Sequence, residues 1–310
     1  MTHSKPTVMV ALAAALWGTT GTVAYLLSES VSALAVGATT MGVGGLVLAL
    51  IAGRRALRLW TVSSLRVLLL IGGVAVAIYP LAFYTGMSLA GVAVGNIVAL
   101  ATGPLVGAVL EWRLERDPPG RTWWWALLVG FIGVVALASG EREFTTADPN
   151  LWPLGLGLAL LAGVAYGTFS YCLSRIIRTE VAPTIATGAM FGAGSLPLLL
   201  VAGVHWLGGD TGLGGDTGLG GSELAALELD SVLGLSYLVA GPMVLSYLLY
   251  GKGLVHLSSS VVLVIALVEP AVATLLAVAV VGERFGPIGI VGLLAVTSAV
   301  VLAGRAKTMR

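Results

Sequence analysis

The chain is poor in almost everything that reaches outward from a soluble protein. Of its 310 residues only 10% are charged, its net charge is +1, and it has three histidines and one cysteine, Cys172. A soluble domain carries roughly 25% charged residues. One cysteine excludes an intrachain disulfide, and the near-zero net charge gives no electrostatic footprint for nucleic acid. No His-Glu-x-x-His occurs, no pair of aspartates lies in an apolar stretch, and the histidines offer no partner for a buried serine nucleophile. An enzyme is therefore not expected, and neither is a metal or other cofactor.

What is present is apolar sequence: 57% hydrophobic residues, 43 glycines and a mean hydropathy of +0.99. About 20 apolar residues cross a bilayer as a helix, and the chain divides into spans at roughly 8–27, 32–52, 67–88, 91–110, 122–139, 152–173, 184–205, 231–250, 258–281 and 286–303. The N-terminal stretch is too long for the apolar core of a leader and is read as the first span. This predicts an all-α polytopic protein whose lasting surroundings are lipid. The 208–230 loop holds Gly-Asp-Thr-Gly-Leu-Gly twice in tandem, too few turns for a stacked calcium-binding repeat, and reads as a flexible external linker.

Alternating the loops between two sides sorts the cations. One side holds Lys5, Arg54, Arg55, Arg58, Arg66, Arg113, Arg116, Arg121, Arg175, Arg178, Lys252, Arg305, Lys307 and Arg310; the other holds Arg142 and Arg284. Loops kept in the cytoplasm carry such an excess. Both termini are thus expected inside, in a multi-pass protein of a bacterial inner membrane. Seven of the eight tryptophans fall at span ends or in loops, as headgroup anchors do, and only Trp17 is mid-span.

The chain also repeats at about half its length. Leu16-Trp17-Gly18-Thr19 corresponds to Ala165-Tyr166-Gly167-Thr168, Tyr79-Pro80 to Gly241-Pro242, Gly103-Pro104 to Glu269-Pro270, and Leu114-Glu115-Arg116 to Gly282-Glu283-Arg284. Five spans per half is an odd number, so the second repeat (146–310) must be inverted relative to the first (1–145). Inverted repeats with a site at their interface near the midplane are a transporter architecture. These residues resemble the drug/metabolite transporter superfamily, its ten-helix EamA-type members, and among them the bacterial aromatic amino-acid exporters. The resemblance implies a pseudosymmetric basket of helices around a central cavity, exporting small metabolites by alternating access. The alternatives are export of purines or cationic compounds, or a channel.

The candidate cavity residues are Trp17, Tyr79, Tyr84, Asn96, Tyr166, Ser246, Tyr247, Tyr250 and Ser258, the last heading a run through Ser260. All are amphipathic or polar groups that hydrocarbon tails would leave unpaired. Tyr247 and Tyr250 stand i, i+3 on one helix. Aromatic walls with a few hydroxyls suit a neutral or zwitterionic solute with an apolar body, amino acids first, and no intramembrane cation is available for a polyanion such as a sugar nucleotide. Glu269, the one acid deep in a predicted span, is read as a gating or proton-coupling group that could also bind a substrate's ammonium, with a purely structural acid as the plainer reading. Pro80, Pro104, Pro197, Pro242 and Pro270 are expected to interrupt five spans, and the pairs Pro80/Pro242 and Pro104/Pro270 to be hinges or cavity linings. Lys252 is expected to snorkel, or to gate against Glu111 or Glu115. The Gly-x-x-x-Gly patterns at 91–95, 103–107, 163–167 and 188–192 read as packing within one chain, hence a monomer.

Overall fold

A computed structural model describes residues 4–26, 33–139, 150–208, 229–281 and 286–305. The tandem Gly-Asp-Thr repeat and the two cations of the cation-poor side, Arg142 and Arg284, lie outside the described residues. Those described form helices α1 (Ser4–Gly18), α2 (Thr20–Leu26), α3 (Ala33–Ala52), α4 (Arg54–Leu59), α5 (Ser63–Ala90), α6 (Val92–Glu115), α7 (Arg121–Ala138), α8 (Trp152–Ile177), α9 (Pro183–Gly208) and α10 (Leu229–Leu238). A π-helical turn (Val239–Leu245) leads into α11 (Ser246–Leu254); α12 (Ser259–Ile265) and α13 (Val268–Leu276) follow, then a second π turn (Ala277–Val281) and α14 (Pro287–Arg305). No strand occurs among the described residues. Among the described residues ten helices or helix pairs are long and apolar enough to span a bilayer. Their outward residues are large and apolar, such as Leu50, Leu70, Leu200 and Leu294, each more than half exposed, which water would penalise and lipid does not.

The packing is two-fold. The partners α3 with α9 and α7 with α14 pair equivalent helices across the halves; α5 against α8 is mirrored by α11 against α1, and α6 against α8 by α13 against α1. Glycine sets the closest approaches. A methyl group placed on Gly18 would lie 2.6 Å from the Glu269 carbonyl oxygen and 2.7 Å from Val272 Cβ; on Gly167 it would lie 2.6 Å from the Gly103 carbonyl oxygen and 2.7 Å from Val106 Cβ. These are the same contacts made twice, between residues the repeat had matched. Gly133 and Gly292 likewise press on each other's carbonyl oxygens, each at 2.9 Å from the other's notional Cβ, so the pseudo-axis passes between α7 and α14. Gly163, Gly167, Gly188 and Gly192 all face other helices of this chain.

The prolines depart from expectation. Pro80 sits inside α5, Pro104 inside α6 and Pro197 inside α9, and all three helices continue through them. One missing donor is absorbed by a long helix held by its neighbours. Pro242 does coincide with a disturbance, the first π turn, where the Ser246 hydroxyl donates to the Pro242 carbonyl. The break in the ninth span falls at Ala266–Leu267, before Pro270. Pro270 is therefore a first-turn residue of α13, a position where its missing N–H would be unsatisfied anyway.

Candidate functional site

A cavity of about 590 Å³ lies between the two halves. Its floor is aromatic. Trp17, in the last turn of α1, has its ring 6.4 Å from Tyr166 and 5.2 Å from Tyr247; Tyr79 lies 5.3 Å from Tyr166. Phe83 stacks 5.5 Å from Tyr79 and leads to Tyr84. Four helices, α1, α5, α8 and α11, thus each contribute rings to one box. At the other end the lining comes from the ends of helices: Thr22 of α2, Ala33 of α3, Val92 of α6, Ser139 after α7 and Pro287 of α14. Among the described residues the cavity opens there, at the end of the bundle remote from the start of α1.

Of the residues expected to line it, Trp17, Tyr79, Tyr84, Asn96, Tyr166 and Tyr247 do. Three do not. Tyr250 is fully buried behind Tyr247, hydrogen-bonded to Ser170 of α8. Residues i and i+3 share a helix face too broad to put both on one wall. Ser246 is fully buried and spent on the Pro242 carbonyl. Ser258 caps α12 at the opposite end of the bundle, where its hydroxyl accepts from Val261 N and meets Ser260 Oγ at 3.1 Å. Phe83 was missed, although its i+4 spacing from Tyr79 was a signal for it.

Glu269, Pro242 and Pro270 also line the cavity, whereas Pro80 and Pro104 do not. The break after α12 places Glu269 in the first turn of α13, where unpaired N–H groups and the helix dipole favour a negative charge. Its carboxylate has no ion pair among the described residues. No lysine, arginine or histidine is in the lining among the described residues. Two further polar atoms near the cavity are buried and unpartnered, Asn96 Oδ1 and the Tyr166 hydroxyl.

The other end is sealed. Glu111 belongs to α6 and is 7% exposed, which corrects the expectation that Glu269 is the one acid within the spans. It accepts from Ser259 Oγ at 2.7 Å, Ser260 N at 3.2 Å and Ser260 Oγ at 2.6 Å. A helix of the first half thereby caps the start of α12 in the second. Glu115, one turn on, accepts from Arg178 and lies 3.7 Å from Arg175. Lys252 is exposed, and with both acids engaged elsewhere a Lys252–Glu111 or Lys252–Glu115 gate is not formed. The predicted fourth span stopped at residue 110, one position short of the acid that matters here.

The sequence profile of the EamA-like transporter family matches residues 5–139 and again residues 153–305. A Bacillus subtilis (strain 168) protein, described as the uncharacterized transporter YwfM, is 29% identical over 294 residues, covering 92% of this chain and 88% of its own. A solved crystal structure superposes with a TM-score of 0.74 at 18% identity, over 97% of this chain and 96% of the other. That likeness bears on the fold alone.

Proposed function

Because the chain belongs to the EamA-like transporter family, we propose that this cavity is its solute site, and that the protein exports small neutral or zwitterionic metabolites, amino acids with aromatic or other apolar side chains among them, by alternating access. The observation that carries the reading is the shape of the cavity: formed by both repeats, open at one end and sealed at the other. A conformation closed on one side and open on the other is what alternation needs, and a second packing of the same halves would supply its opposite. The Glu111–Ser259–Ser260 clamp is the seal that must part in that second state. Cations collect at the sealed end, with Arg54, Arg58, Arg66, Arg116 and Arg178 near it. By the charge rule that end is cytoplasmic, so the described state faces outward from an inner membrane. The carrier works as a monomer in this reading.

Counterflow into proteoliposomes tests it, with the twenty amino acids screened against purines and cationic drugs. Saturable, competitive exchange is expected. Ion-like conductance would overturn the carrier, and absence of competition by Phe, Trp, Leu and Met would overturn the amino-acid assignment.

A further inference from the structure

We infer that the cavity recognises its solute through an ammonium group and does not need a carboxylate, so that it selects organic monoamines with an aromatic or bulky aliphatic body over zwitterionic amino acids. The inference rests on the reading of this cavity as the solute site and sets a cationic class in place of the zwitterionic one proposed above. Its basis is the imbalance of the lining. Among the described residues the one charged side chain in the lining is Glu269, and no cation accompanies it. A carboxylate taken out of bulk water is costly unless a partner compensates it, and among the described residues no cationic partner stands beside it.

The remaining unmet groups point the same way. Asn96 Oδ1 is buried and accepts nothing, and the Tyr166 hydroxyl, in a residue 3% exposed, has no partner. An ammonium brings three donors and no acceptor, which is what a carboxylate and an amide oxygen require. Trp17, Tyr79, Tyr166 and Tyr247 supply ring faces around the same space, and such faces attract a desolvated cation. A zwitterion would add a second, negative group. Among the described lining residues it would meet no Lys, Arg or His, and the broken-helix start, the other place for an anion, already carries Glu269 in its first turn. Like charge at that point repels the second group.

Three probes with the same ring separate the classes: phenethylamine (cation), phenylalanine (zwitterion) and phenylacetate (anion). Binding to the purified full-length protein is followed by ligand-induced thermal stabilisation and by the fluorescence of its tryptophans, Trp17 being in the cavity wall. Phenethylamine is expected to bind at least tenfold more tightly than phenylalanine, with phenylacetate not binding. Glu269→Gln is expected to weaken phenethylamine binding at least tenfold. Equal or tighter binding of phenylalanine, any binding of phenylacetate, no binding of phenethylamine, or full retention of amine binding in folded Glu269→Gln each overturns the inference. Should that variant not fold, the ranking of the three probes on the unaltered protein still decides. Amine binding without counterflow of any solute would uphold this inference while overturning the carrier reading, so the two fail separately.

Discussion

Helix α6 and the α12–α13 pair are one element built twice, and their differences fall where function would need them. Both press a backbone carbonyl against a glycine of the other half at the same distance, Gly103 on Gly167 and Glu269 on Gly18. Yet α6 runs unbroken through Gly103-Pro104, while its counterpart breaks at Ala266–Leu267 and turns an acid into the cavity. The ends differ as well. Glu111 near the end of α6 caps α12; the offset of the Gly103–Glu269 match places Ala277 at the corresponding point, and Ala277 lines the open part of the cavity. A symmetric frame thus has its seal at one end only: one copy places a carboxylate against two serines, and the other has an alanine at the corresponding point. Duplication supplies the scaffold, and departures from it supply polarity.

The comparison breaks most severely at its glycines. Gly18→Ala and Gly167→Ala each force a Cβ to within 2.7 Å of a carbonyl oxygen and a valine side chain. Overpacking of this kind costs about 1–3 kcal/mol. Thermal unfolding in detergent should show similar losses for both, and a neutral result for one would refute their structural equivalence. Transport should separate them. Gly18→Ala displaces the turn bearing Glu269 and should slow counterflow in the surviving folded fraction, whereas Gly167→Ala presses on Gly103 and Val106, neither of them in the cavity lining, and should not.

Next in size is the seal. Glu111→Ala removes the shared acceptor of two serine hydroxyls and the Ser260 amide, leaving the Ser259 hydroxyl and that amide unmet, in a site 7% exposed at its acid. Leaving buried donors unmet costs about 1–3 kcal/mol, and Glu111→Gln, which still accepts, should cost less. Ala277→Ser at the equivalent point of the other repeat should change melting by less than either. If Glu111→Ala melts like the unaltered protein, the seal contributes nothing to the closed end.

Smaller still is the contrast between two tyrosines a helical turn apart. Tyr250→Phe deletes a hydroxyl bonded to Ser170 in the core and should cost about 1 kcal/mol without altering the order in which solutes compete in counterflow. Tyr247→Leu removes a ring from the cavity wall and should alter that order. A changed order in Tyr250→Phe would show that the wall extends deeper than the lining does.

What was legible in the sequence follows from the range of the signals. Ten spans and the inverted halves rest on runs of twenty apolar residues and on matches in register, and both survive local error; the family match covers each half separately. Trp17, Tyr79, Tyr166 and Tyr247 were visible because amphipathic rings have few places to go in a bilayer. Tyr250, Ser246 and Ser258 were not separable from them, since a hydroxyl satisfied by a neighbouring helix looks the same in sequence as one facing a cavity. Trp123 misled for the opposite reason: it occupies a headgroup position in the chain yet is 2% exposed, turned inward beside exposed Trp124 and Trp125. The prolines misled because a kink depends on neighbours, and long helices here hold Pro80, Pro104 and Pro197 without interruption.

The weakest effect belongs to the second acid of α6, and it sharpens what the first one does. Glu111 and Glu115 are one turn apart, but Glu111 meets neutral donors in a buried site while Glu115 meets arginines near the surface. Arg175 lies 3.7 Å from Glu115 with its side chain 44% exposed, a geometry that water and salt screen to about 0–1 kcal/mol. Arg175→Ala should therefore shift melting by little, and added salt should erase the shift. Arg178 is closer in and 24% exposed, so Arg178→Ala should cost more than Arg175→Ala and keep part of its effect in salt. Glu111→Ala should be indifferent to salt, because its partners carry no charge. If the three variants shared one salt dependence, the seal would be a general attraction between charges at that end rather than a carboxylate fitted to the start of α12.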